Sequence, residues 1–203
     1  MIYIKSDKEI ELMRKPCQIV RDVLRLCEDK IKAGMTTKEL DKIAYDYITS
    51  CGAKPSFLGY GGFPAATCIS IDEQVVHGFP SDRIIEEDQI VSVDVGAYFN
   101  GFHGDAARSL YVGHISPEKK KLIDVTRECF FEGIKGICIG SALGDIGAQV
   151  QEHAEKNGFS VVRDMVGHGV GRNLHEDPSV PNYGRRGVGV RLKRNMTIAI
   201  EPK

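Results

Sequence analysis

Between residues 8 and 32 apolar side chains return every three or four positions, at Ile10, Met13, Cys17, Val20, Leu24 and Ile31, with one longer gap. That period is helical, and it predicts an amphipathic helix ended by Gly34. Thr36 and Glu39 form a capping-box signature for a second helix through Leu40, Ile43, Ala44, Tyr47 and Ile48, closed by Gly52. The same plan returns 106 residues downstream: Ser116 and Pro117 open a helix whose run ends at Gly140. Gly34 matches Gly140, Leu40 matches Ile146, Gly52 matches Gly158, and Ile31 matches Ile137. Each half reads as long helix, glycine, shorter helix, glycine, then strands. This weak internal duplication predicts one pseudo-symmetric α+β domain over 1–203, its halves about 1–110 and 111–203. Paired helices would cover one face of a sheet and leave a cleft on the other.

The period drops to two in "IVSVDVGAYF", residues 90–99. Val91, Val93 and Val95 take one face of a strand, and Ser92, Asp94 and Gly96 the other. Asn100-Gly101 is a two-residue hairpin signal. With that turn Phe99 faces Phe102 and Gly96 faces Asp105, which brings Asp94 and Asp105 to one face, diagonal to each other, roughly 7–8 Å apart along the backbone. Gly96 would leave room for the two carboxylates to converge. Two carboxylates this close repel, so they need a proton, a cation or open water. The bland alternative is an edge hairpin with solvated aspartates.

Composition narrows the choice little. Lys and Arg number 27 against 28 Asp and Glu, so no basic excess points to nucleic acid. The charged start lacks the apolar segment of a secretory signal, and no run reaches a membrane span of roughly eighteen apolar residues. The six cysteines form no CxxC pair, which suits a reducing, cytoplasmic setting, with most of them small buried hydrophobes. The Gly-rich stretches "GYGGFP" (59–64), "GHGVG" (167–171) and "YGRRGVG" (183–189) read as loops, where sites tend to sit.

Farther along, "MVGHGVGRNLHEDP" offers His168 and His175, and "MTIAIEP" alternates as a strand that ends at Glu201. The glycines around His168 do not complete a dinucleotide fingerprint. An oxygen-rich set of two Asp, one His and one Glu suits a divalent first-row metal: Mn, Fe, Co or Zn. A bridging carboxylate can hold two such ions about 3.5–4 Å apart, an arrangement hydrolases use to activate water.

At "YGGFPAATCISIDEQVVHGFP", "VDVGAYFNGFHGDAARS", "GHGVGRNLHEDP" and "TIAIEP", in that order, the chain resembles the type I (bacterial-type) methionine aminopeptidases of the pita-bread metallopeptidase family. The resemblance covers nearly the whole chain from residue 8. It implies a curved antiparallel sheet covered by helices, and removal of the initiator methionine from nascent polypeptides by activated-water hydrolysis. It also implies metal ligands at Asp94, Asp105 (bridging), His168 and Glu201, with Glu201 handling the proton of the nucleophilic water. His77 and His175 would contact the scissile amide and its oxyanion without binding metal. Tyr60, Phe63, Cys68 and Leu174 would line the pocket for the methionine side chain, whose unbranched thioether suits an apolar, partly aromatic surface.

The family carries a final bridging glutamate on a strand beyond its Glu-Pro motif, and this sequence stops at Lys203, where an apolar residue would be usual. The expectation is therefore one well-held metal, a second held poorly, lowered activity, and self-association of an otherwise monomeric chain through an exposed sheet edge. Nascent-chain N-termini and the ribosome are the implied partners. Two other readings stay open: a catalytically dead homologue acting as a binding protein, and a pita-bread peptidase acting beside proline.

Overall fold

Helix α1 (Asp7–Lys30) buries Met13, Pro16, Ile19, Val20, Val23, Leu24 and Cys27. Met13, Val20 and Leu24 are buried as the sequence reading expects, but Pro16 faces the core in place of Cys17, which is exposed. Thr36 caps α2 (Thr37–Ser50) by a complete capping box, its hydroxyl accepting from the Glu39 N–H while Glu39 accepts from the Thr36 N–H. Gly52 (φ +72°), directly after the α2 cap at Cys51, stops that helix in the left-handed region, which a Cβ disfavours, whereas α1 ends at Lys30, four residues before the expected stop at Gly34 (φ +86°).

The computed structural model describes residues 1–203, which divide into two compact units. One comprises residues 11–119 and 171–174. Its antiparallel sheet is built on β3 (Val91–Phe99), paired along its length with β4 (Phe102–Leu110). Strands β2 (Thr67–Ile71) and β1 (Lys54–Pro55) pair with β3 at Val91–Val95 and Ala97–Tyr98. The β3 face carrying Val91, Val93 and Val95 is sealed, all three at 0% exposure, against Val20, Val23 and Cys27 of α1 and Leu40, Ala44 and Ile48 of α2.

The other unit comprises residues 1–10, 120–170 and 175–203. Val125 and Cys129 of α3 (Pro117–Ile134) pack with Leu143, Ile146, Val150 and Ala154 of α4 (Leu143–Lys156). Its sheet has the order β6-β5-β7, with β5 (Gly167–Gly169) between β6 (Glu176–Val180) and β7 (Ile198–Ala199). Gly140 (φ +93°) and Gly158 (φ +87°) repeat the left-handed conformation of Gly34 and Gly52, and Ile146 is as buried as Leu40. Ile31 and Ile137 each flank their own core.

Three expectations change. Helix α3 ends at Ile134, short of Gly140, because Gly136 already takes φ +71°. "GHGVG" is not a loop: its first three residues are the central strand β5. A Cβ on Gly167 would lie 2.4 Å from the Ala199 oxygen, and one on Gly169 2.2 Å from the Asp177 oxygen, so only glycine lets the neighbouring backbones approach. The strand read in "MTIAIEP" is two residues long, and Glu201 lies beyond it. The six cysteines are free, three buried and two exposed. No helix is long and apolar enough to cross a membrane.

Candidate metal centre

The β3–β4 hairpin has the expected register. Asn100 (φ +49°) and Gly101 (φ +87°) make the turn, Phe99 pairs with Phe102, and Gly96 pairs with Asp105. Asp94 pairs with Ala107, one step along the same face, and both aspartates are half-buried. The space over Gly96 is not open. A Cβ there would meet the Ser56 Cβ at 2.7 Å and the Phe57 ring at 2.8 Å, so Gly96 admits packing side chains rather than the converging carboxylates.

His168 stands in the middle of β5, 9% exposed, between the glycines that let β6 and β7 close in. Its Nδ1 lies 2.8 Å from the Gly169 carbonyl oxygen. A carbonyl only accepts, so Nδ1 carries a hydrogen, and Nε2 faces the other side. There Glu201 Oε1 lies 3.2 Å away. Burial pushes the Glu201 carboxyl up, but the hydrogen bond with His168 and the Lys203 ammonium, 2.8 Å from Oε2, outweigh it and bring the group to about 2.

Within this unit a carboxylate oxygen of Glu201 and an imidazole nitrogen of His168 meet, and Asp105, on the hairpin of the other unit, is a third residue of metal-ligand type. A carboxylate and an imidazole nitrogen held this close suit a positive centre between them. A proton on Nε2 can fill that place, and so can a divalent cation. Imidazole with carboxylate oxygens suits Mn, Fe, Co or Zn, and the backbone bond at Nδ1 is the usual support for a metal-binding histidine. The residues fit a metal. Asp94 shares the sheet face of Asp105 but is not one of these three.

The other expected residues fall into two groups. His77 is exposed, with φ +57°, and is fixed by its neighbour Gly78, which bonds Ile69 and the Ser70 hydroxyl of the β2 strand. His175 is exposed, and its ring centroid lies 4.2 Å from that of His168. Cys68 and Leu174 are buried together with Phe57, and Phe63 packs against them. Tyr60 is 51% exposed in a short 3-10 turn over Tyr60–Gly62, its backbone bonded to those of Phe57 and Phe63.

Sequence reading missed Phe57, which alternation alone did not mark as facing Cys68. It also missed the Lys5–Glu176 ion pair beside His175, 2.6 Å long with side chains 5% and 2% exposed. The third omission is Asn182, whose amide donates to the Glu201 carbonyl at 2.7 Å. These pairings span 171 and 19 residues, and no local pattern marks them.

A family model described as metallopeptidase family M24 matches residues 11–203. The sequence is 52% identical over 202 residues to the methionine aminopeptidase of Clostridium perfringens (strain 13 / Type A), covering 100% of this chain and 81% of that protein. The crystal structure of methionine aminopeptidase from Thermotoga maritima matches with a TM-score of 0.97 at 47% identity, over 100% of this chain and 82% of that one. Prolidase from Pyrococcus furiosus matches with a TM-score of 0.86 at 26% identity, over 98% of this chain and 57% of the prolidase. The helices and antiparallel sheets are those of the pita-bread fold.

Proposed function

Because the chain belongs to metallopeptidase family M24, we propose that it removes the N-terminal methionine from newly made polypeptides by hydrolysing their first peptide bond. The observation that carries this reading is the match of the whole chain to a methionine aminopeptidase, beside the approach of Glu201 to His168. The chain acts as one catalytic domain, in the cytoplasm, on nascent-chain N-termini at the ribosome.

Asp105, His168 and Glu201 would hold a divalent metal (Mn, Fe, Co or Zn), and Asp94 beside a bridging Asp105 would extend the site toward a second. Such an ion, when bound, polarises the scissile carbonyl and makes a water acidic enough to attack at neutral pH. The chain's own groups do the rest. The Glu201 carboxylate, ionised at neutral pH, accepts a hydrogen bond from the attacking water, orients it, and relays its proton toward the leaving amine. His175 and His77, both open to solvent, donate to the scissile amide and to the oxygen on which negative charge grows. Phe63, Cys68 and Leu174, backed by Phe57, hold the methionine thioether, with Tyr60 at the mouth.

The test is hydrolysis of Met-Ala-Ser by metal-stripped protein supplied in turn with Mn, Fe, Co and Zn. Free methionine should appear only with metal, and Leu-Ala-Ser should be cut far more slowly. Metal binding without methionine release under any of the four would reject the enzyme reading. Preferential cleavage of Ala-Pro would move the chain to the proline-directed peptidases.

A further inference from the structure

Glu201 lies outside the ladder that orders its neighbours. Strand β7 ends at Ala199, which pairs with His168, and the pairing does not extend to residue 201. The backbone at Glu201 is held instead by a side chain. Asn182 Nδ2 donates to the Glu201 carbonyl at 2.7 Å, from a position 1% exposed just after β6. The other end of the same amide, Oδ1, is buried without a hydrogen-bond partner. A buried amide satisfied at one end only is a poor contributor to folding, because the unpaired oxygen loses its hydration for nothing in return. A fold that needed only packing here would be served better by an apolar side chain of the same size.

We propose that Asn182 is a positioning residue for the metal centre. Its N–H fixes the Glu201 carbonyl, and with it the backbone of the same residue whose carboxylate lies opposite His168 Nε2. This rests on the metal-site reading above. Loss of the bond frees the backbone to rotate at the end of a two-residue strand, and the carboxylate leaves its place 3.2 Å from His168. Supports of this kind typically change metal affinity by about tenfold to a hundredfold.

The experiment compares the wild-type chain with Asn182→Leu, Asn182→Gln and the control Glu201→Ala. The readouts are Mn affinity by isothermal titration, the Co absorption spectrum, and melting of the metal-free protein. Asn182→Leu matches the volume without a donor. It should melt within a few degrees of wild type, bind Mn about tenfold more weakly, and shift the Co bands. Asn182→Gln keeps the donor and should recover part of the affinity. Wild-type affinity in Asn182→Leu, with weakened binding in Glu201→Ala, would overturn the positioning role alone. Unweakened binding in Glu201→Ala would instead overturn the metal-site reading. A loss of affinity that tracks a loss of melting temperature would make Asn182 a structural residue. If the leucine variant does not fold, Asn182→Ser, too short to reach Glu201, carries the same comparison.

Discussion

The two units share a plan of helix, glycine, helix, glycine and sheet, yet they hold their candidate ligands by different means. In the unit of residues 11–119 and 171–174, Asp94 and Asp105 ride on a hairpin of two nine-residue strands that pair from Val91/Leu110 to Phe99/Phe102. Every second residue of β3 is driven inward by a sealed core, so register alone sets the aspartates. In the other unit the strands are three, five and two residues long. His168 is placed by glycines that admit neighbouring backbones, and Glu201 by side chains, Asn182 and Lys203. A long ladder needs little help from side chains. A short one delegates its precision to buried polar contacts, which act one at a time and are lost one at a time.

Lys5→Met should expose that dependence most strongly. It leaves the Glu176 carboxylate, 2% exposed, without its ammonium, and breaking a buried pair from one side costs about 3–5 kcal/mol. Denaturant unfolding would measure the loss. A change within about 0.5 kcal/mol would mean that this unit does not lean on its buried polar pairs. Next in size, His175→Ala should spare metal binding and lower turnover about a hundredfold or more, the usual effect of losing a donor to a developing oxyanion. Titration beside steady-state kinetics separates the two, and loss of metal would place His175 among the ligands. The smallest effects concern the caps. Thr36→Ala should cost about 1 kcal/mol. The equivalent Ala142 has only half of that arrangement, its N–H donating to Asp145 at 2.7 Å with no oxygen to return the bond. Ala142→Ser should therefore stabilise by about 0.5 kcal/mol, and equal responses at the two caps would blur the contrast between the units.

The same contrast explains what could be read from sequence. Alternation at Val91–Val95 and the Asn100-Gly101 turn are local signals, and they gave the register that puts Asp105 opposite Gly96. The matched glycines were legible because a left-handed stop favours glycine. Strand β5 was misread as a loop because glycines selected for close backbone approach look, in sequence, like glycines selected for turning. The open space assumed over Gly96 is filled by Ser56 and Phe57, whose approach depends on tertiary packing. Asn182, Lys5 and Glu176 carry no periodic or motif signal, and their meaning arises only from partners distant in the chain. Residue types and order at Asp105, His168 and Glu201 suggested a metal, while the approach of His168 to Glu201 belongs to the folded chain.

The central claim is that Asp105, carried by the long ladder, joins His168 and Glu201 around one divalent ion. Isothermal titration of metal-free protein with Mn or Co, wild type against Asp105→Asn, tests it most directly. Asparagine keeps the shape and removes the charge, so the hairpin should remain intact by circular dichroism while stoichiometric binding disappears. Metal bound by Asp105→Asn with the stoichiometry and affinity of the wild type would contradict the claim.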